Sequence, residues 1–330
     1  ARADLARVIE LSIEQHVSAI VGKQLGRLEV EIPPSSRRDL ERVQLFMVAR
    51  RLHTEHTIAQ LGVIIDVPFL VVKGPVIGER WYSDAGVREY GDLDVVVRRR
   101  DFRAVLEQLE ERGCERQLAN WHGWLEAGVA EVPLRFGSTT IDLHWSLIAL
   151  TSTRAELRLP EQQMFDRRAT VSVGSGTPIE VETLDPTDSV VHLCVNVALG
   201  GARRLRNLVD LDRMLRHPDL DAREFARRVR VAGIERMVSA LLDRCRRLLG
   251  TPIPIEIERG LGNHRVWRST SSLVDRWARP LRGSHSPGIM LSSGRSTVVG
   301  TSIALARSAR ESTVARLGAA SPTAPGGRLD

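Results

Sequence analysis

Val71-Val72-Lys73-Gly74 and, twenty residues on, Gly91-Asp92-Leu93-Asp94-Val95-Val96-Val97 carry the architecture of this 330-residue chain. The first segment reads as a β-strand ending in a tight turn, the second as a strand with two carboxylates two residues apart. Side chains on a strand alternate faces with period two. Asp92 and Asp94 are therefore expected on one face, roughly 7 Å apart at Cα. Burying either charge without a partner is unfavourable, whereas parallel carboxylates on a rigid strand suit hard divalent cations, above all Mg²⁺. Pro75 fits the first turn of a helix, where its missing N–H costs nothing; that helix is expected to run to about Tyr82.

Upstream, residues 1–61 read as a helical region broken at Pro33-Pro34-Ser35-Ser36. Leu5, Val8, Ile9 and Ser12 begin one amphipathic pattern; Leu40, Val43, Phe46, Met47 and Ala49 to Leu52 begin a longer one. Val63 to Val72 predicts two short extended pieces separated by Asp66 and Pro68, the second a true strand. Downstream, a helix is expected from Asp101 as N-cap to Arg112, stopped by Gly113. Strands follow around Val129–Phe136 and Thr139–Leu143, joined by Gly137-Ser138 and closing a core of residues 62–150. The second carries Ile141-Asp142-Leu143-His144-Trp145, which puts Asp142 and His144 on one face. Residues 151–282 read as a mostly helical domain, with Asp185-Pro186-Thr187-Asp188 opening one helix and Gly200-Gly201 breaking it. Residues 283–330, rich in Ser, Gly, Ala, Pro and Thr, read as a flexible low-complexity tail.

Hydrophobic content of 42% and charged content of 27% match a soluble globular protein. No apolar run reaches the ~20 residues that span a bilayer, and Ala1–Val8 carries charges where a secretory leader would be apolar. Cys114, Cys194 and Cys245 form no C-x-x-C unit, so neither a disulfide framework nor a zinc site is indicated, and a cytoplasmic location is expected. The net charge of +6 is spread among glutamates, as in "RRDLERVQ", and reads as a solvated mixed surface. Of the 47 basic residues only Lys23 and Lys73 are lysines. Lys73 lies between the apolar strand and its glycine, where a compact ammonium differs most from a planar guanidinium; it is expected to contact a phosphate or carboxylate.

An isolated Asp-x-Asp says little. With Asp142 as a third strand carboxylate, Asp92 and Asp94 have the makings of a site for two cations ~3.5–4 Å apart, the clamp used in phosphoryl and nucleotidyl transfer. The competing reading pairs Asp92 with an arginine such as Arg88 and makes Asp142 a strand-end cap. His144 either orients a carboxylate, touches substrate, or is a satisfied interior histidine; as a ligand it would prefer softer metals than Mg²⁺. Trp81, Tyr82, Tyr90, Trp121, Trp124 and Trp145 could stack on a base, though core packing is the better account of each. His53 and His56 read as solvated.

Lys73-Gly74, Arg80-Trp81-Tyr82, Arg88, Gly91 to Val97 and Ile141 to Trp145 together resemble the uncharacterised nucleotidyltransferase-like family of the DNA polymerase β superfamily. Leu184 to Asp188, His192-Leu193-Cys194 and Arg204 to Leu211 are similar to its helical half. The resemblance implies an α+β fold, a small mixed sheet flanked by helices, and a metal-dependent enzyme that moves NMP from an NTP to a hydroxyl or phosphate acceptor. It implies Mg²⁺ (or Mn²⁺) held by Asp92, Asp94 and Asp142, with Asp142 also the candidate base. Nucleotide contacts would fall to Lys73, Gly74, Arg88, Gly91 and His144. A small-molecule acceptor is expected first, a protein or tRNA end second. The superfamily commonly begins this site with Gly-Ser at a helix N-terminus; this chain has Gly74-Pro75, and Lys73 is expected to supply the missing contact. The alternative from another class is a non-catalytic nucleotide- or partner-binding module on the same fold.

Overall fold

The structure, a computed structural model, describes residues 4–117, 128–174, 176–278, 293–295 and 297–306. Trp121, Trp124 and most of the expected tail lie outside the described residues. Three helices come first, α1 (Leu5–Glu14), α2 (Ser18–Arg27) and α3 (Pro34–Ile64). Helix α3 starts at the proline break and absorbs Val63 and Ile64, so the expected extended piece there is the last turn of a helix. Its inward face is Met47, Thr54, Thr57, Ile58 and Leu61, while Leu45, Phe46, Val48 and Leu52 face solvent. The apolar pattern around Phe46 therefore does not mark the buried side.

The core sheet runs β1 (Phe69–Val72), β2 (Leu93–Val97), β3 (Glu115–Arg116), β4 (Glu131–Phe136) and β5 (Thr139–His144), in spatial order β1-β2-β5-β4-β3. Among the described residues only the β2–β5 pair is parallel, so the sheet is small and mixed, as the family resemblance implies. All five residues of β2 are buried, which explains the consecutive Val95, Val96 and Val97: a strand covered on both faces does not alternate with polar residues. One face, with Val71, Leu93, Val95, Ile141 and Leu143, packs against Ile58 and Leu61 of α3 and against Val105, Leu106 and Leu109 of α5 (Phe102–Glu111). The other carries Leu70, Val72 and Val96 against Met164, Phe165 and Leu184. Asp101 precedes α5, but its side chain makes no capping bond and meets Arg100 at 3.5 Å instead.

Between β1 and β2 lies α4 (Gly74–Trp81), with Pro75 in its first turn. After β5 come α6 (Thr151–Glu156) and α7 (Glu161–Asp166), then a hairpin, β6 (Ala169–Val173) and β7 (Ile179–Thr183). Sequence reading placed this hairpin in a helical region. Its signal was the alternation of Val171, Val173, Ile179 and Val181, all packed on the α3 side of the sheet. The remaining helices, α8 (Pro186–Leu199), α9 (Leu205–Arg216), α10 (Ala222–Ala232), α11 (Glu235–Leu249), α12 (Ile255–Leu261) and α13 (Arg265–Ala278), build a second core around Cys194, Leu211, Phe225 and Leu241. Asp185 caps α8 by accepting from the Asp188 N–H at 2.9 Å. Residues 298–306 are helical and bury Ala304. The three cysteines are free and buried. Among the described residues no helix is long and apolar enough to cross a membrane.

Candidate active site

The parallel register of β2 on β5 sets Asp94 opposite Asp142 and Val96 opposite His144. Strand β4 adds Glu131 opposite His144. Period-two alternation places all four polar groups on the same face of the sheet, away from the α3 side. Asp94, Asp142 and His144 offer ligand atoms all within 4.8 Å of one another. Two carboxylates and an imidazole converging this closely fit a divalent metal ion by donor type and number.

Asp94 is buried at 3% exposure and accepts from Lys73 Nζ at 2.5 Å; His144 Nε2 lies 3.2 Å from the same Oδ1. Burial alone would raise the Asp94 pKa, but Lys73 and His144 outweigh it and hold the group well below the usual carboxylate range. Burial likewise opposes the Lys73 ammonium, and Asp94 more than restores it. Asp142 behaves oppositely. Burial, then the charges of Asp94, Glu131 and Asp92, push it up to about 7. Several carboxylates against one ammonium leave the cluster short of positive charge, as expected of a cation site.

The turn that presents Lys73 is strained. Lys73 has φ 55° and ψ −130°, a region that favours glycine, and Gly74 follows at φ 24°. A Cβ on Gly74 would stand 3.3 Å from the Asp92 carbonyl. Arg88 holds this turn from beneath: its guanidinium donates to the Gly74 carbonyl at 2.7 Å and to both oxygens of Asp210 at 2.9 and 2.8 Å. Tyr82 donates to Asp210 at 2.6 Å. The neighbouring Glu89 accepts from Ser18 Oγ at 2.6 Å, fixing the loop to α2. Arg88 is thus paired with Asp210 rather than Asp92, and its place is behind the glycine turn.

Lys73, His144 and Glu131 open onto a cleft of about 400 Å³ whose far wall includes Asn196, Asn207 and Arg295, a volume that suits a small ligand. Asp94 and Asp142 lie behind Lys73 and His144 and do not themselves line it, nor do Gly91 and Asp92. Asp92 precedes β2, is exposed, and borders a smaller hollow with Phe46, Arg50 and His53. The structure therefore brings together Lys73, Asp94, Asp142 and His144 and places Asp92 at the edge of their field. Of the aromatics, Trp81, Tyr82 and Tyr90 are core residues, and Trp145 lies under Arg99 and Arg154. His53 and His56 are exposed, as read. Sequence reasoning missed Glu131 and Asp210: an isolated Glu in a strand and an Asp in a helix gave no sign of what they face across the fold.

Residues 1–250 match the model of a family described as an uncharacterised nucleotidyltransferase. No curated protein and no solved structure matches the chain.

Proposed function

The chain belongs to this uncharacterised nucleotidyltransferase family, and from that premise we propose that it transfers NMP from an NTP to a hydroxyl or phosphate acceptor in a two-metal, Mg²⁺- or Mn²⁺-dependent reaction. The observation that carries the reading is the β2–β5 register, which sets Asp94 beside Asp142 under the strained Lys73 turn. Asp94 and Asp142, with Asp92 at the edge, would hold the divalent ions. Bound there, the ions would neutralise charge on the transferring phosphoryl oxygens.

The chain's own groups do the rest. Lys73 leaves or shares Asp94 to meet the triphosphate, and Arg88 keeps the Gly74 turn open for that approach. The acceptor oxygen bonds to the α-phosphorus as the bond to the bridging oxygen breaks. The acceptor proton passes to Asp142, and pyrophosphate leaves. The cleft beside His144 suits a small-molecule acceptor better than a folded partner.

The test is pyrophosphate release from each NTP with hydroxyl- and phosphate-bearing acceptors. Asp142→Ala should lose rate by orders of magnitude yet keep nucleotide-dependent thermal stabilisation. Firm nucleotide binding by the wild type with no turnover on any acceptor, and no effect of Asp142→Ala, would leave the binding-module reading standing.

A further inference from the structure

The donor set at this site is not all oxygen. His144 Nε2 stands 3.2 Å from Asp94 Oδ1, within the group whose ligand atoms lie inside 4.8 Å. On the other side of the ring, Nδ1 faces Glu131 Oε2 at 3.8 Å. The imidazole is buried at 7% exposure and spans β5 between a carboxylate of β4 and a carboxylate of β2. At 3.8 Å Glu131 is an electrostatic partner of the ring and not a hydrogen-bond acceptor; with an ion on the Asp94 side, its charge would favour the ring proton on Nδ1 and leave the Nε2 lone pair to the ion. Imidazole nitrogen is a poor ligand for Mg²⁺, which demands oxygen, and a good one for first-row transition ions.

We propose that this site prefers a first-row transition ion such as Mn²⁺ over Mg²⁺, with His144 Nε2 as a ligand beside Asp94 and Asp142, and Glu131 as the positioning residue that aims the ring. The inference rests on the reading that the site holds a divalent ion, and it names which ion and which nitrogen.

The experiment uses the full chain stripped with chelator and titrated with Mn²⁺ or Mg²⁺ alone, by calorimetry and by pulsed electron paramagnetic resonance of the bound Mn²⁺. The wild type should bind Mn²⁺ at least about tenfold more tightly than Mg²⁺, and its Mn²⁺ signal should show coupling to an imidazole nitrogen. His144→Gln should lose that coupling and bring the two affinities together. Glu131→Ala should retain the coupling but weaken Mn²⁺ by about 10–100-fold, with a smaller effect on Mg²⁺. Wild-type Mn²⁺ bound without nitrogen coupling overturns the proposal, and needs no variant to fold. So does a Mn²⁺-to-Mg²⁺ ratio unchanged in folded His144→Gln, which would return His144 to a structural partner of Asp94. Pyrophosphate release separates the two readings. Turnover with a His144-independent metal preference sinks only this inference; nitrogen-coupled Mn²⁺ with no turnover on any acceptor sinks only the transferase.

Discussion

Lys73 sits in a backbone region that costs a non-glycine residue about 1–3 kcal/mol, and the fold keeps it there with its ammonium on Asp94. A glycine would fit that backbone more easily, so the side chain is what the position retains. Lys73→Arg preserves charge but replaces a compact ammonium with a longer planar group. Its KM for NTP should rise at least about tenfold with an unchanged circular dichroism spectrum; an unchanged KM would mean that the triphosphate does not meet this residue. Asp210 poses the complementary case. It is fully buried and answers both Arg88 and Tyr82. Asp210→Ala strands the Arg88 guanidinium in the interior, which typically costs about 3–5 kcal/mol. Urea unfolding should show that loss, and a change under about 1 kcal/mol would mean that Arg88 finds another partner.

At the level of elements, packing sets which glycines matter. Gly260 in α12 faces Ala226 of α10, and an added Cβ would lie 2.4 Å from the Ala226 Cβ. Alanine is the better helix former by about 1 kcal/mol, yet here it must push two helices apart at about 1–3 kcal/mol. Gly260→Ala should therefore lower the melting temperature. Gly26 in α2 meets nothing within 4 Å, so Gly26→Ala should raise stability by about 0.5–1 kcal/mol. Equal shifts in the two variants would show that helix propensity, not the α10–α12 contact, governs both. The same scale explains the strand β2: its sequence is apolar because helices cover one face and α7 with Leu184 covers the other, leaving Asp94 as the single charge admitted to it.

Across the whole molecule, the helical half leans on the site through His192 of α8. Burial first, then the Lys73 charge, pulls His192 down to about 3 from the ordinary 6.5. The folded state therefore prefers the neutral ring. Its contribution is fully present above pH 6.5 and is lost as pH falls from there toward 3, because the unfolded chain takes the proton first. Stability should drop by up to about 1.4 kcal/mol per pH unit in that window for this one proton. Asp142, raised to about 7, contributes a slope of opposite sign in this window, so His192→Asn should lower the slope of unfolding free energy against pH between 6.5 and 4 by about the His192 share; a slope identical to wild type would place the titration elsewhere, with His16, also pulled down by burial to about 4, the next residue to replace. What the sequence determined by itself was local: the apolar β2 run, the Gly74-Pro75 helix start, the Asp185 cap, the β4–β5 hairpin, and Asp94 with Asp142 as strand carboxylates. Periodicity and backbone chemistry act over a few residues, so they are legible without a fold. Only the tertiary structure decided which of those residues meet. The parallel β2–β5 register joined Asp94 to Asp142, while Glu131 reached His144 from β4. Asp210 reached Arg88 from 122 residues away, and Asp92 stayed at the rim. Register and helix packing are set by the summed burial of two cores, and no single stretch of sequence contains that sum.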